Sequence, residues 1–136
     1  MRSDVVPRVL VVDDDPAIRL FAERVLSEGG YEVVLAGDGK AALDLTANQT
    51  RPFDLFVIDL MMPGMTGGQL AFALRRLEPD IKVLFFTGFG DELFKEKRRL
   101  AAYEAYVDKP VTVKGLQEAV SLLLYGHTQG PSRTAR

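Results

Sequence analysis

The sequence predicts a doubly wound α/β fold, a parallel sheet covered by helices on both faces. Three observations predict it. Short apolar runs alternate with amphipathic helical segments along most of the chain, which is the pattern of repeated strand–helix units. The runs are apolar at nearly every position, as suits strands of a parallel sheet buried on both faces. Four of the runs end in residues that carry chemistry, and ligands in such sheets sit beyond the carboxyl ends of the strands.

Taken in order, residues 1–7 read as a loose lead-in. The first strand, Val9-Leu10-Val11-Val12, runs into Asp13-Asp14-Asp15. A helix then opens at Asp15-Pro16, an N-cap followed by proline at the first helical position. Ile18, Phe21, Ala22, Val25 and Leu26 form its apolar stripe, and Gly29-Gly30 ends it. Tyr31 to Ala36 reads as the second strand, and a helix from about Lys40 to Asn48 follows. The third strand, Leu55-Phe56-Val57-Ile58, ends in Asp59 ahead of Leu60-Met61-Met62-Pro63-Gly64. Thr66-Gly67-Gly68-Gln69 fits a capping box, with Leu70, Ala73, Leu74 and Leu77 as the stripe of the helix behind it. Glu78-Pro79 stops that helix.

Val83-Leu84-Phe85-Phe86 is the fourth strand and runs into Thr87-Gly88. The fourth helix, near 91–102, has a thin apolar stripe around Lys95-Glu96-Lys97-Arg98-Arg99, which reads as a solvated face. Ala105-Tyr106-Val107 is the fifth strand and ends in Asp108-Lys109-Pro110. The fifth helix follows Thr112 and carries Val113, Leu116, Val120, Leu123 and Leu124. Leu122-Leu123-Leu124-Tyr125 offers more apolar surface than one stripe uses, as an ordinary helix end does. Residues 8–125 therefore make one domain, and 126–136 a polar, Gly/Pro-containing tail or linker start.

Composition narrows the chemistry. The 136 residues are 47% hydrophobic, enough for one domain with a real core. A formal net charge of −2 argues against nucleic-acid binding driven by overall charge. With no cysteine, disulfides and thiolate chemistry are excluded. The single histidine, His127, sits in the tail, which disfavours zinc and histidine-based catalysis. No apolar run approaches the roughly 18 residues of a membrane span. The expected location is a reducing cytoplasm.

The strand ends bring Asp13, Asp14, Asp59, Thr87 and Lys109 to one rim. Crowded carboxylates repel and raise one another's pKa values unless a cation intervenes. Oxygen donors without histidine or cysteine select Mg²⁺ or Mn²⁺, and Mg²⁺ takes few protein carboxylates. Lys109 supplies positive charge for a phosphoryl oxygen and Thr87 a hydroxyl donor. Asp59 is a ligand or a nucleophile, since a carboxylate can accept a phosphoryl group covalently. Singly, each residue has an ordinary role: Asp15 before Pro16 is a cap, Thr87 a strand end, Lys109-Pro110 a turn. Turn chemistry does not explain four strand ends that each supply what one reaction needs.

These residues resemble the receiver domain of two-component response regulators. The resemblance covers about Pro7 to Tyr125 and rests on Val11-Val12-Asp13-Asp14, Asp59-Leu60-Met61-Met62-Pro63-Gly64-Met65-Thr66-Gly67, Phe86-Thr87-Gly88 and Tyr106-Val107-Asp108-Lys109-Pro110. It implies a flavodoxin-like receiver fold with five strands in the order 2-1-3-4-5 and five helices. It implies Asp59 as phosphoacceptor, and Asp14, Asp59 and the Met61 carbonyl as direct Mg²⁺ ligands, with Asp13 holding the metal through water. Lys109 and Thr87 would contact the phosphoryl group. Thr87 and Tyr106 would form the switch, with the fourth helix, fifth strand and fifth helix as the signalling face. The Lys109–Pro110 bond would be cis, and Gly88 would keep the phosphate entrance open. Met61 and Phe89 would screen the phosphoryl group from water.

The implied role is a phosphoacceptor regulatory domain in a phosphorelay rather than an enzyme acting on other molecules. Its donor would be a histidine kinase or histidine phosphotransfer protein, and its target a downstream output domain or protein. Phosphorylation-dependent homodimers fit the same role; membrane contact does not. One rival reading is a haloacid-dehalogenase-type phosphatase using Asp13. It lacks that family's Thr or Val at the position of Ala17 and leaves Asp59 unexplained. A flavin or dinucleotide binder would need a phosphate-cradling loop after the first strand, where this chain is acidic.

Overall fold

The alternating pattern folds into one five-stranded sheet. The computed structural model describes residues 5–88 and 104–126. The expected fourth helix, the 95–99 charge run, Phe89, residues 1–4 and the tail from His127 lie outside the described residues. The elements in chain order are β1 (Arg8–Val12), α1 (Pro16–Glu28), β2 (Glu32–Ala36), α2 (Gly39–Ala47), β3 (Leu55–Asp59), α3 (Gly67–Leu77), β4 (Val83–Thr87), β5 (Glu104–Asp108) and α4 (Val113–Tyr125). All strands pair in parallel, in the order β2-β1-β3-β4-β5. Helix α4 is the fifth of the expected helices.

Side chains alternate across a strand, and the three central strands divide accordingly. Leu10, Val12, Phe56, Ile58, Val83 and Phe85 join Ala42 of α2 and Leu70, Ala71 and Leu74 of α3. Val9, Val11, Leu55, Val57, Leu84 and Phe86 face the other way, onto Ala22, Val25 and Leu26 of α1 and Leu116 and Val120 of α4. Each fully buried side chain of this kind stabilises the fold by about 1.5–3 kcal/mol relative to exposure.

The helix starts follow the local chemistry. The Asp15 side chain accepts from the Ala17 N–H and Pro16 occupies the first turn. Thr66 and Gln69 cap α3 reciprocally, at 3.1 and 2.9 Å. Asp38 and Thr112 cap α2 and α4. Gly30 ends α1 at φ +94°, a left-handed backbone that favours glycine.

Three expectations need correction. Strands β2 and β5 read as buried, yet most of their residues are only half-buried. Both are edge strands, with a neighbour on one side only. The buried face of α3 is Gly67, Leu70, Ala71 and Leu74, whereas Leu77 is 49% exposed. Gly67 packs against the β3 end, and Leu77 lies off the buried face. In α4, Val113 is exposed while Leu123 and Leu124 are half-buried against the core.

At the amino-terminal ends of the strands a buried arginine ties the layers together. Arg8 bonds to Glu32 Oε2 (3.1 Å), Gln49 Oε1 (2.6 Å) and the Arg51 carbonyl, and lies 4.6 Å from the centre of the Phe53 ring. Its backbone N–H donates to Asp54. That end of the sheet is built for rigidity, and the chemistry-bearing residues gather at the other.

Candidate functional site: an acidic cluster at the carboxyl ends of the strands

Strand β1 delivers Asp13 at its end, fully buried. One carboxylate oxygen of Asp13 accepts from the Asp15 N–H at 2.9 Å. The Asp13 carbonyl accepts from Arg19 at 2.6 Å, and its N–H donates to Ala36 of β2 at 3.2 Å. Asp13 is thus held from both ends of its peptide. Asp14, next along, is exposed.

Strand β3 delivers Asp59, only 4% exposed. The loop after it is drawn back by two backbone bonds, Leu60 N–H to the Phe86 carbonyl (2.9 Å) and Gly67 N–H to the Leu60 carbonyl (2.8 Å). Gly67 is required there. A Cβ would stand 2.4 Å from the Asp59 carbonyl oxygen and 2.8 Å from Leu60 Cα, so the backbone itself would have to shift. Gly64 turns the loop at φ +83°. The Met61 N–H donates to Asp59 Oδ1 at 3.4 Å, and the Met61 side chain is exposed.

Strands β4 and β5 supply the other two groups. Thr87 is wholly buried, and its hydroxyl donates to Asp108 Oδ1 at 2.8 Å. Lys109 extends its amine to 3.2 Å from Asp59 Oδ1 and 3.8 Å from Asp13 Oδ2. Its backbone N–H donates to the Thr87 carbonyl, and the Lys109–Pro110 bond is cis, as expected. Tyr106 is half-buried and stacks on Phe85, with ring centres 5.1 Å apart. Gly88 follows Thr87, half-buried.

The electrostatics follow from this crowding. Burial, then the Asp13 charge, pushes the Asp59 carboxyl up to about 6, against the pull of Lys109 and the Met61 N–H. Burial also raises Asp13, opposed by the Asp15 N–H and Lys109. One lysine does not neutralise the cluster. Asp13 Oδ2 is buried with no hydrogen-bond partner. Carboxylate oxygens of Asp13, Asp14 and Asp59 lie within 4.8 Å of one another. An orphaned buried oxygen in an all-carboxylate donor set fits a hard divalent cation.

Comparison with known proteins agrees with this geometry. The family model for the response regulator receiver domain matches residues 9–121. The chain belongs to that family. Among curated relatives of this receiver domain, the transcriptional regulatory protein AruR of Pseudomonas aeruginosa is 34% identical over 96% of the chain and 57% of its own length. The sensor kinase CckA of Brucella abortus is 34% identical over 85% of the chain and 12% of its own length. The chain therefore spans only part of these relatives. A solved structure of the response regulator TrrA of Thermotoga maritima, in complex with Mg²⁺ and BeF, superposes with a TM-score of 0.76 at 33% identity. It covers 88% of this chain and all of that one. The sheet order is that of receiver domains. The family places the chain in phosphorelay signalling, which leaves the phosphatase reading of Asp13 without support.

The receiver-domain residues expected from the strand ends do meet: Asp13, Asp14, Asp59 and Lys109 share one cluster. Thr87 stands at the end of β4 beside them, with its hydroxyl engaged by Asp108. Sequence reasoning assigned no role to Asp108, Arg19 or the close approach of Gly67. A signal existed for the first, since Thr87 and Asp108 stand at equivalent ends of neighbouring strands. Arg19 carried none, because its target is a backbone carbonyl.

Proposed function

We propose that this receiver domain, residues 8–125, accepts a phosphoryl group on Asp59. The observation that carries the reading is the contact of buried Asp59 with Lys109 inside a carboxylate cluster with an orphaned oxygen. Asp14, Asp59 and the Met61 carbonyl would hold Mg²⁺ or Mn²⁺ directly and Asp13 through water; when bound, the ion offsets the cluster's charge and that of the phosphoryl oxygens.

The Asp59 carboxylate oxygen forms the new O–P bond as the P–N bond of a phosphohistidine donor breaks. Lys109 sits where it attracts a phosphoryl oxygen, and burial keeps bulk water from the acyl phosphate. Thr87 supplies a hydroxyl donor to the product, and Tyr106, two residues before Asp108 on the same strand face, reports the change. Phosphorylation biases a two-state equilibrium. The donor is a histidine kinase or histidine phosphotransfer protein in the cytoplasm, and the target an output domain or protein. The domain acts on itself alone, gaining and losing its phosphate, and contacts neither nucleic acid nor membrane.

Incubation with acetyl phosphate and Mg²⁺ followed by intact mass measurement tests the reading. The wild type should gain one phosphate and Asp59→Asn none. A wild type that stays unmodified, or an Asp59→Asn variant labelled equally, would overturn it.

A further inference from the structure

We infer that Asp108 is the resting-state acceptor of the Thr87 hydroxyl and competes for it with the phosphoryl group on Asp59. The inference rests on the phosphoacceptor reading above and adds a residue to it. Thr87 is wholly buried, and its hydroxyl reaches Asp108 Oδ1 at 2.8 Å. A threonine hydroxyl has one proton to donate, and an ionised carboxylate can only accept. The proton given to Asp108 is therefore withheld from any other acceptor.

The pairing is built into the sheet. Thr87 and Asp108 are register partners of β4 and β5, so their side chains lie on the same face. Two residues back, the same register pairs Phe85 with Tyr106, and those rings stack. Next along the chain is Lys109, whose N–H donates to the Thr87 carbonyl and whose amine reaches Asp59. Asp108 thus stands between the residue that touches the acceptor and the aromatic that shares its strand face. Transfer of the Thr87 hydroxyl to a phosphoryl oxygen breaks this side-chain bond between the two strand ends. Asp108 then loses the Thr87 hydroxyl as a donor. The bond is a latch that favours the resting state, and its strength is subtracted from the affinity of the site for a phosphoryl group.

The test is a double-mutant cycle with beryllofluoride and Mg²⁺ as the phosphoryl probe, read by titration calorimetry on the whole chain. Asp108→Ala should bind the probe about five- to tenfold tighter than the wild type. In a Thr87→Ala background the same change should alter affinity by less than about twofold, because no hydroxyl remains to release. Asp108→Asn keeps an acceptor oxygen without the charge and should fall between. A second readout needs neither probe nor metal: the Thr87 methyl resonance should shift in Asp108→Ala as the side chain leaves its rotamer. An unchanged affinity and resonance in Asp108→Ala would overturn the latch. So would an equal gain with and without Thr87, which marks a simple charge effect. A wild type that binds no beryllofluoride would instead overturn the phosphoacceptor reading, and the latch with it.

Discussion

Asp59 is held at a cost. Its carboxyl is raised from 3.8 to about 6, so the folded state binds its proton more tightly than the unfolded state does. Between those two values the folded chain carries the extra proton, and stability falls as pH rises through that window. Above it the penalty is complete, on the order of 2–3 kcal/mol. Asp59→Asn should therefore be more stable than wild type at pH 7 in metal-free buffer, and the difference should close near pH 4. Urea melts at the two pH values check this; equal midpoints at pH 7 would contradict it. The same raised value explains why the site suits a cation, since positive charge brought to the cluster removes the repulsion. Met61 is a separate case. Its side chain, two residues after Asp59, is exposed, and Met61→Ala should shorten the lifetime of the phosphorylated form, measured by timed intact mass.

Helix α3 packs on the backbone of Asp59 through Gly67, and its rotation matters more than its propensity. Leu74 is fully buried and Leu77 half in solvent, although both belong to the stripe read from the sequence. Leu74→Ala should cost about 2–5 kcal/mol, and Leu77→Ala less than about 1. Chemical denaturation of the two variants separates the observed face from the expected one. Gly67 anchors that rotation. Gly67→Ala pushes a methyl carbon against the backbone of Asp59 and Leu60, so it should destabilise by about 1–3 kcal/mol. It should also slow acetyl-phosphate labelling, because one of the atoms it displaces is the Asp59 carbonyl oxygen. A helix-propensity argument gives the opposite sign, since alanine is the better helix former.

Across the whole molecule, the Arg8 clamp and the acidic cluster occupy opposite ends of one sheet. The Arg8 clamp holds the amino-terminal ends of β1 and β2 to the segment before β3, through Glu32, Gln49, Arg51 and Asp54. Removing the buried guanidinium takes the donor from Gln49, the Arg51 carbonyl and Glu32, while the backbone bond to Asp54 remains. Arg8→Ala should cost about 3 kcal/mol or more in urea melts. Labelling of Asp59 in the surviving folded fraction should stay at the wild-type level. Reduced labelling at full folding would show that the two ends are coupled. No described helix is long and apolar enough to cross a membrane.

The order and type of the described elements, the Asp15 and Thr66 caps, and the four residues of the strand-end cluster were legible in the chain. These depend on neighbours a few positions apart, and in a parallel sheet every strand ends on the same rim. Their resemblance to receiver domains carried the reading from chemistry to role. Three matters were decided only by packing: the half-burial of β2 and β5, the face of α3, and the partner of the Thr87 hydroxyl. Each depends on which surfaces meet across the sheet, a distance in space that sequence separation does not encode. Asp59 belongs to both levels. The strand pattern marks it as the residue for chemistry, and only the folded structure supplies the burial and the contacts with Asp13 and Lys109 that raise its pKa.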